Sequence, residues 1–501
     1  MSLTSLIRPF MVARSRRAMA AHDDVEGTQR TVLRTLIKRA SDTEWGRAHG
    51  YRGIGSYGQY RQDVDITPYE KLRPMVMRMI EGEPGVLWPG VTRRFAQSSG
   101  TSDGKSKYIP VTADSLKANH YRGASDAVAH YLNFHNPGSR VFDGRAFILG
   151  GSFANELSVG RGVRVGDLSA NLIEAINPLV NLLRVPSKSV ALMENWHDKL
   201  PVLAHAAVGR NITNISGVPS WFLTVLREVT RIAGTTTVAE VWPGLEVFFH
   251  GGISFEPYRA QYRDIIGNPA MHYVETYNAS EGFFATQDSP DTRAMSLVLD
   301  AGMFYEFQNT ATGAVVPAWE VNEGEIYSLL LSGANGLWRY PIGDTVRIES
   351  TSPLRITIAG RTKHFINAFG EELMVHNADA AIATACALHH CSVANYTAAP
   401  QFTPGSGANG YHQWLIEFDT EPRSTDAFAM TLDRELRHLN SDYEAKRSGD
   451  IFLAPPQIVT ARRGLFDRWL ESTGKLGGQR KVPRLYNSRR FIDAMLTFNT
   501  Q

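Results

Sequence analysis

The chain has 501 residues, 43% of them hydrophobic and 20% charged, which suffices for at least two domains with their own cores. Lys and Arg number 52 and Asp and Glu 50, a formal charge of +2. The basic excess of a nucleic-acid-binding protein is therefore absent, and no nucleic-acid partner is expected. The only cysteines, Cys386 and Cys391, cannot build a disulfide framework and point to a reducing, cytoplasmic compartment. No segment reaches the ~18 continuous apolar residues of a membrane span, so no integral membrane association is expected.

Residues 1–20 mix basic and apolar positions without the unbroken apolar run of a signal peptide, and read as an amphipathic helix packed on the protein's own body. Val32, Leu33, Leu36 and Ile37 follow with helical period, and Gly50, Gly53, Gly55 and Gly58 mark an irregular stretch after them. Longer helical patterns recur around 111–135 and 171–208, whereas Arg145–Leu149 and Leu245–Phe249 read as short buried strands that end at Gly-Gly pairs. Strand signals dominate 295–358, notably Gly324–Leu331 and Asp344–Ile348, and suit a barrel or an antiparallel extension. Past Gly360 the spacing predicts a helix from 371, a strand over 411–419 and a charged amphipathic helix over 425–447. The expected fold is α/β: a large domain, 1–360, of layered sheets and helices with a β-barrel-like part, then a small α+β domain, 361–501.

Ser98-Ser99-Gly100-Thr101-Ser102-Asp103-Gly104-Lys105-Ser106-Lys107 has the makeup of a loop that wraps polyphosphate. Glycine lets backbone N–H groups approach phosphate oxygens, hydroxyls add neutral donors, and lysines neutralise charge. The spacing from Gly100 to Ser106 is one residue short of G-x-x-x-x-G-K-[ST], which disfavours a P-loop NTPase. Gly405-Ser406-Gly407-Ala408-Asn409-Gly410 matches G-x-G-x-x-G but precedes a strand instead of opening a helix, so it reads as a hairpin loop. Cys386-Ala387-Leu388-His389-His390-Cys391 lacks a second ligand pair at zinc spacing and reads as helix-face core. H-E-x-x-H does not occur.

Downstream of the hydroxyl-rich loop come His250-Gly251-Gly252, Tyr277-Asn278-Ala279-Ser280-Glu281-Gly282, Trp338-Arg339-Tyr340-Pro341-Ile342-Gly343-Asp344, Gly360-Arg361-Thr362-Lys363, and Gly474–Arg484 with Lys475 and Lys481. Their order and spacing resemble the adenylate-forming superfamily of acyl-CoA synthetases, luciferases and peptide-synthetase adenylation domains. More narrowly, the chain resembles the plant auxin- and jasmonate-conjugating acyl acid amido synthetases and their bacterial relatives. The likeness covers about 30–490 and includes Asp42–Gly46, Pro68-Tyr69-Glu70 and Leu87–Gly90.

The resemblance implies ATP and Mg²⁺ as cofactors, with Ser98, Ser99, Gly100, Thr101, Ser102 and Lys107 around the phosphates and Glu281 as the metal-coordinating carboxylate. Asp344 is an acceptor suited to both ribose hydroxyls, as the matching aspartate is in the family, or else a turn residue. Tyr277 offers a ring for adenine or belongs to the core, Gly251 and Gly252 permit close approach of the base, and Ser280 is placed to donate to the α-phosphate. Arg361 corresponds to an arginine that reaches ribose or phosphates near the hinge, with a surface ion pair as the alternative; Thr362 and Lys363 stand where the superfamily often has a hinge aspartate. Nearby His364 reads as a packed or solvated histidine. Lys481 matches the lysine that meets the acyl-phosphate region from a mobile C-terminal domain, with Lys475 and Arg484 as rivals. The implied reaction is activation of a carboxylic acid as acyl-AMP and transfer to an amine, an amino acid by analogy. Coenzyme A as acceptor, or nucleotide binding without chemistry, are the alternatives. The acyl pocket is expected between 115 and 255, and the acid itself is not encoded in any readable pattern.

Overall fold

The structure is a computed structural model that describes residues 2–98, 107–153, 159–252, 255–361, 365–366, 368–369, 371, 373–402, 410–440, 443–444, 447, 453–473, 482–486 and 488–500. The chain divides into two compact units, one built chiefly from Met1–Gly252 and Ile265–Thr357, the other from Ile253–Asp264, Ile358–Leu476 and Arg480–Gln501.

In the first unit, β1 (Arg94–Ser98) pairs antiparallel with β2 (Lys107–Pro110), Ser98 opposite Lys107. The hydroxyl-rich loop 99–106, outside the described residues, thus joins the two strands. The large sheet takes in β3 (Arg145–Ile148), β5 (Arg184–Val185), β6 (Ile212–Gly217), β7 (Val247–Gly251) and β8 (His272–Ala279), while β4 (Arg164–Gly166) joins β1. It continues through β9 (Gly282–Thr286), β10 (Met295–Leu297), β11 (Met303–Asn309), β12 (Val315–Pro317), β13 (Ile326–Gly333), β14 (Tyr340–Thr351) and β15 (Leu354–Arg361). The spatial order is β12-β11-β13-β14-β15-β10-β9-β8-β7-β6-β3-β5. From β5 to β8 neighbours run parallel, joined by helical crossovers; at β9 the sheet turns antiparallel. Of the two forms suited to 295–358, the antiparallel extension is the one present, and the strands continue the sheet without closing a barrel among the described residues.

The sheet is nevertheless strongly coiled. Three strands separate β8 from β14, which in a flat sheet would hold them about 19 Å apart, yet Tyr277 Oη donates to Asp344 Oδ2 at 2.7 Å. Val32, Leu33, Leu36 and Ile37, on the helix Val25–Ala40, are all buried against Trp45, Tyr51 and Tyr60, as their period requires.

Two helical expectations change. The segment 171–208 is broken into short helices, ending in Trp196–Val208, because Pro178 and Pro186 interrupt it. The N-terminal helix, Leu3–Ala20, docks on the body by its polar side, with Thr4 and Ser15 buried while Leu6 and Phe10 are exposed. Asp143 accepts from Ser2 Oγ and Thr4 N, Arg8 donates to the carbonyls of Leu132 and Ser139, and Arg14 pairs with Asp126 at 2.8 Å. Hydrogen bonds to fixed partners, not apolar period, orient this helix.

The second unit has β16 (Phe365–Ile366) against β17 (Leu373–Met374), and β18 (Ser392–Phe402), β19 (Gly410–Thr420) and β20 (Gln457–Ala461) in one sheet. Helices Val375–His389 and Thr425–Leu439 cover it, the latter ending earlier than its charge pattern suggests. Residues 403–409, most of the G-x-G-x-x-G match, lie outside the described residues and connect two antiparallel strands, Phe402 opposite Gly410. Cys386 and Cys391 are free thiols packed against the core of this unit. Among the described residues no helix is long and apolar enough to cross a membrane.

Candidate active site

Ligands of open α/β sheets sit beyond the carboxyl ends of parallel strands, where the chain reverses its order. In the first unit that edge carries Gly251 and Gly252 at the end of β7 and Ser280 and Glu281 after β8. Gly251 is a packing requirement as well as a candidate contact, since a Cβ there would lie 2.2 Å from the carbonyl oxygen of Thr276 on the neighbouring strand. Gly252 holds φ at 81°, open to glycine at little cost. Ser280 and Glu281 form the two-residue turn between β8 and β9, with Ala279 opposite Gly282. Just past the turn, Asn119 holds β9 by accepting from Phe283 N at 2.7 Å and donating to the carbonyls of Phe283 and Ala301.

Glu281 is 5% exposed, so its charge must be compensated. Tyr340 Oη donates to Glu281 Oε1 at 3.3 Å, and Asn335 Nδ2 donates to the Glu281 carbonyl at 2.7 Å. Burial and the Glu281 charge hold the Tyr340 phenol well above its ordinary pKa, so it stays a donor. Lys107, the foot of the hydroxyl-rich loop, donates to Tyr340 Oη at 3.2 Å, and its ammonium lies 5.6 Å from the ring centres of both Tyr69 and Tyr340. Ser280 Oγ is buried with no hydrogen-bond partner among the described residues, so it is available as a donor at this turn.

Asp344 sits where β14 bulges: Pro341 opposes Leu330 and Thr345 opposes Ser328, so Ile342, Gly343 and Asp344 face Leu329 alone. Gly343 takes φ 90° to make that bend. The bulge turns the buried Asp344 toward Tyr277, whose hydroxyl it accepts. Tyr277 also packs edge-on against Phe284, centroids 4.9 Å apart, within the core. Its contacts therefore orient Asp344 from beneath.

Ser98 ends β1 and Arg361 ends β15, while Ser99, Gly100, Thr101, Ser102, Thr362, Lys363, His364, Lys475 and Lys481 lie outside the described residues. Arg484, a rival of Lys481, is occupied within the second unit: its guanidinium pairs with Asp379 at 2.5 Å and lies 5.2 Å from the Tyr396 ring centre. Tyr340, Asn335 and Tyr69 were not singled out from sequence. Tyr340 and Tyr69 lay inside segments already marked, but nothing in one-dimensional order distinguishes them from neighbouring aromatics.

A single Mg²⁺ asks little of the protein, typically one or two carboxylates plus water and phosphate oxygens. Among the described residues no group of three or more His, Cys, Asp or Glu converges, so no all-protein metal cage is present there. Glu281, held between Tyr340 and Asn335 at a turn that also presents Ser280, fits the lesser requirement.

Known proteins match the chain along most of its length. Residues 14–173 and 164–271 match the GH3 family N-terminal domain, 296–361 the GH3 family central domain and 376–490 the GH3 family C-terminal domain. Indole-3-acetic acid-amido synthetase GH3.3 of Arabidopsis thaliana is 20% identical over 543 residues, covering 92% of this chain and 89% of that protein. Indole-3-acetic acid-amido synthetase GH3.8 of Oryza sativa subsp. indica is 21% identical over 558 residues, covering 92% and 88%. Among solved structures, AtGH3.15 acyl acid amido synthetase in complex with 2,4-DB superposes with a TM-score of 0.79 at 16% identity, covering 96% of both chains. A 2-hydroxyisobutyryl-CoA ligase in the postadenylation state reaches 0.56 at 11% identity, covering 100% of this chain and 94% of that one. With its N-terminal, central and C-terminal models matched in order, and the first alone spanning more than half the sequence, the chain belongs to the GH3 family.

Proposed function

We propose that this protein is an ATP-dependent acyl acid amido synthetase, a carbon–nitrogen ligase. The carrying observation is the Lys107–Tyr340–Glu281 chain at the root of a hydroxyl- and glycine-rich loop, with Asp344 on the same strand as Tyr340. That set is what adenylation needs. A carboxylate is a poor electrophile because oxide is a poor leaving group. One of its oxygens attacks the α-phosphorus of ATP, pyrophosphate leaves, and the acyl carbon then carries AMP as leaving group. An amine nitrogen, from an amino acid as in the named relatives, attacks that carbon, AMP departs, and the nitrogen loses a proton. Little covalent chemistry falls to the protein, which positions the reactants and offsets charge.

In this reading Ser98, Ser99, Gly100, Thr101, Ser102 and Lys107 receive the phosphates, Ser280 donates to the α-phosphate, and Asp344, oriented by Tyr277, accepts from the ribose hydroxyls. Gly251 and Gly252 leave room for the base, and Arg361 reaches the ribose or phosphates. Glu281 would hold Mg²⁺, which when bound neutralises phosphate charge. Lys481 offsets charge on the reacting carboxylate and α-phosphate; the occupied Arg484 supports that choice over one of its two rivals. The reaction belongs to a reducing cytoplasm, in keeping with two free thiols.

The test is carboxylate-dependent pyrophosphate release from Mg²⁺-ATP over aromatic, aliphatic and hydroxy acids, with amino acids or coenzyme A added in turn. Release with AMP, increased by an amino acid, is expected. An increase with coenzyme A alone would make the protein an acyl-CoA ligase, and no release with any acid despite ATP binding would leave a nucleotide-binding role. Lys481→Ala is expected to slow acyl-AMP formation by several orders of magnitude, sparing amide formation from preformed acyl-AMP; equal loss in both steps would remove Lys481 from adenylation.

A further inference from the structure

Arg339 is one of two non-glycine residues among the described residues with a left-handed backbone, φ 42°, a conformation that costs about 1 kcal/mol or more and persists only where surroundings enforce it. The surroundings are explicit. Its guanidinium pairs with Glu306 through Nε at 2.8 Å and Nη2 at 2.9 Å, and Nη1 donates to the carbonyls of Val64 and Arg61. The backbone N–H of Arg339 donates to Ser332 Oγ at 3.0 Å, and that hydroxyl shares a 2.7 Å bond with Tyr60 Oη. The ion pair is 6% and 1% exposed on its two sides. So much fixed structure at an enforced turn determines the direction of the next residue, and the next residue is Tyr340.

We propose that Tyr340 is a positioning residue for adenylation, its hydroxyl holding Lys107 Nζ and Glu281 Oε1 at a set separation so that phosphate and metal ion are received together. The inference rests on the ligase reading above. The phenol accepts from the ammonium and donates to the carboxylate, so it bridges the cation at the root of the phosphate loop and the acidic turn after β8 without adding charge of its own. Asn335 holds the backbone carbonyl of Glu281, and Tyr340 reaches its carboxylate. A purely structural tyrosine would serve the core equally well without these two bonds.

The measurement is ATP affinity of the full chain by titration calorimetry, in excess EDTA and in saturating Mg²⁺, for wild type and Tyr340→Phe, which keeps the ring and removes the bridge. Expected is an affinity in EDTA within about twofold of wild type, and an Mg²⁺ enhancement reduced about tenfold, the effect of losing a hydrogen bond to a charged group. The Mg²⁺ concentration that half-saturates pyrophosphate release should rise in step. A second variant, Lys107→Gln, lowers affinity in both conditions and also lowers the enhancement. Should either variant melt far below wild type, the other carries the test. Wild-type enhancement in the variants, or an equal loss with and without Mg²⁺ in Tyr340→Phe, overturns the role of Tyr340. Wild type that binds ATP in neither condition overturns the ligase reading instead.

Discussion

Asp344 shows how much a single carboxylate depends on its support. It is buried, accepts from Tyr277, and sits on a bulge that only a glycine at φ 90° makes easy. In Asp344→Asn the side chain keeps its size but becomes a weaker acceptor. Losing charge-assisted bonds of about 1.5–3 kcal/mol to the ribose should raise the KM for ATP roughly 10- to 100-fold. Initial-rate pyrophosphate release checks this, and an unchanged KM would return Asp344 to a structural part in the turn. Tyr277→Phe should move the same parameter less, since it removes only the orienting bond.

At the level of elements, the site is a set of strand ends, and their spacing is set by backbone contact. Gly251 lies opposite Thr276 in the β7–β8 ladder, and a Cβ there would come within 2.2 Å of a carbonyl and 2.9 Å of the Thr276 hydroxyl. Gly251→Ala must spread the two strands that carry the glycine pair and the Ser280-Glu281 turn. We expect a loss of about 1–3 kcal/mol in urea unfolding, as for overpacking in other tight interiors, with ATP affinity falling too. Unaltered stability would mean that the ladder has slack the close contact does not suggest. The N-terminal helix teaches the converse: exposed Leu6 and Phe10 look outward because Asp143 and the carbonyls of Leu132 and Ser139 claim its polar side.

At the scale of the whole molecule, His22, His120 and His130 are buried as neutral rings. His22, His120 and His130 are each lowered to about 4, chiefly by burial; nearby Asp288 works against this at His22 and His130. His22 Nδ1 accepts from Leu354 N, and His130 Nδ1 shares a bond with Ser15 Oγ. Above pH 6.5 neither folded nor unfolded rings bind protons and they contribute no pH dependence. Between about 6.5 and 4 the unfolded chain takes up protons that the folded one does not, so stability falls as pH falls, by about 2 kcal/mol per ring at pH 5. Asp126, raised to about 6 by burial despite Arg14, works the other way, since between about 4 and 6 the folded state holds its proton. Three rings outweigh one carboxyl. Urea midpoints should therefore drop between pH 7 and 5, and less so in His120→Gln; a flat profile would show these rings protonate in place.

The order of glycines, hydroxyls, carboxylates and lysines along the chain carried the resemblance to the acyl acid amido synthetases, because each motif is short and written in residue type. Helical period likewise located Val32, Leu33, Leu36 and Ile37 in the core. Tertiary structure decided the rest. That the sheet coils until β8 meets β14, that Arg339 is forced into a left-handed turn, and that Arg484 is bound to Asp379 instead of free for catalysis all depend on partners tens to hundreds of residues distant. Local spacing carries no record of such partners, because they are chosen by the packing and charge compensation of the folded chain.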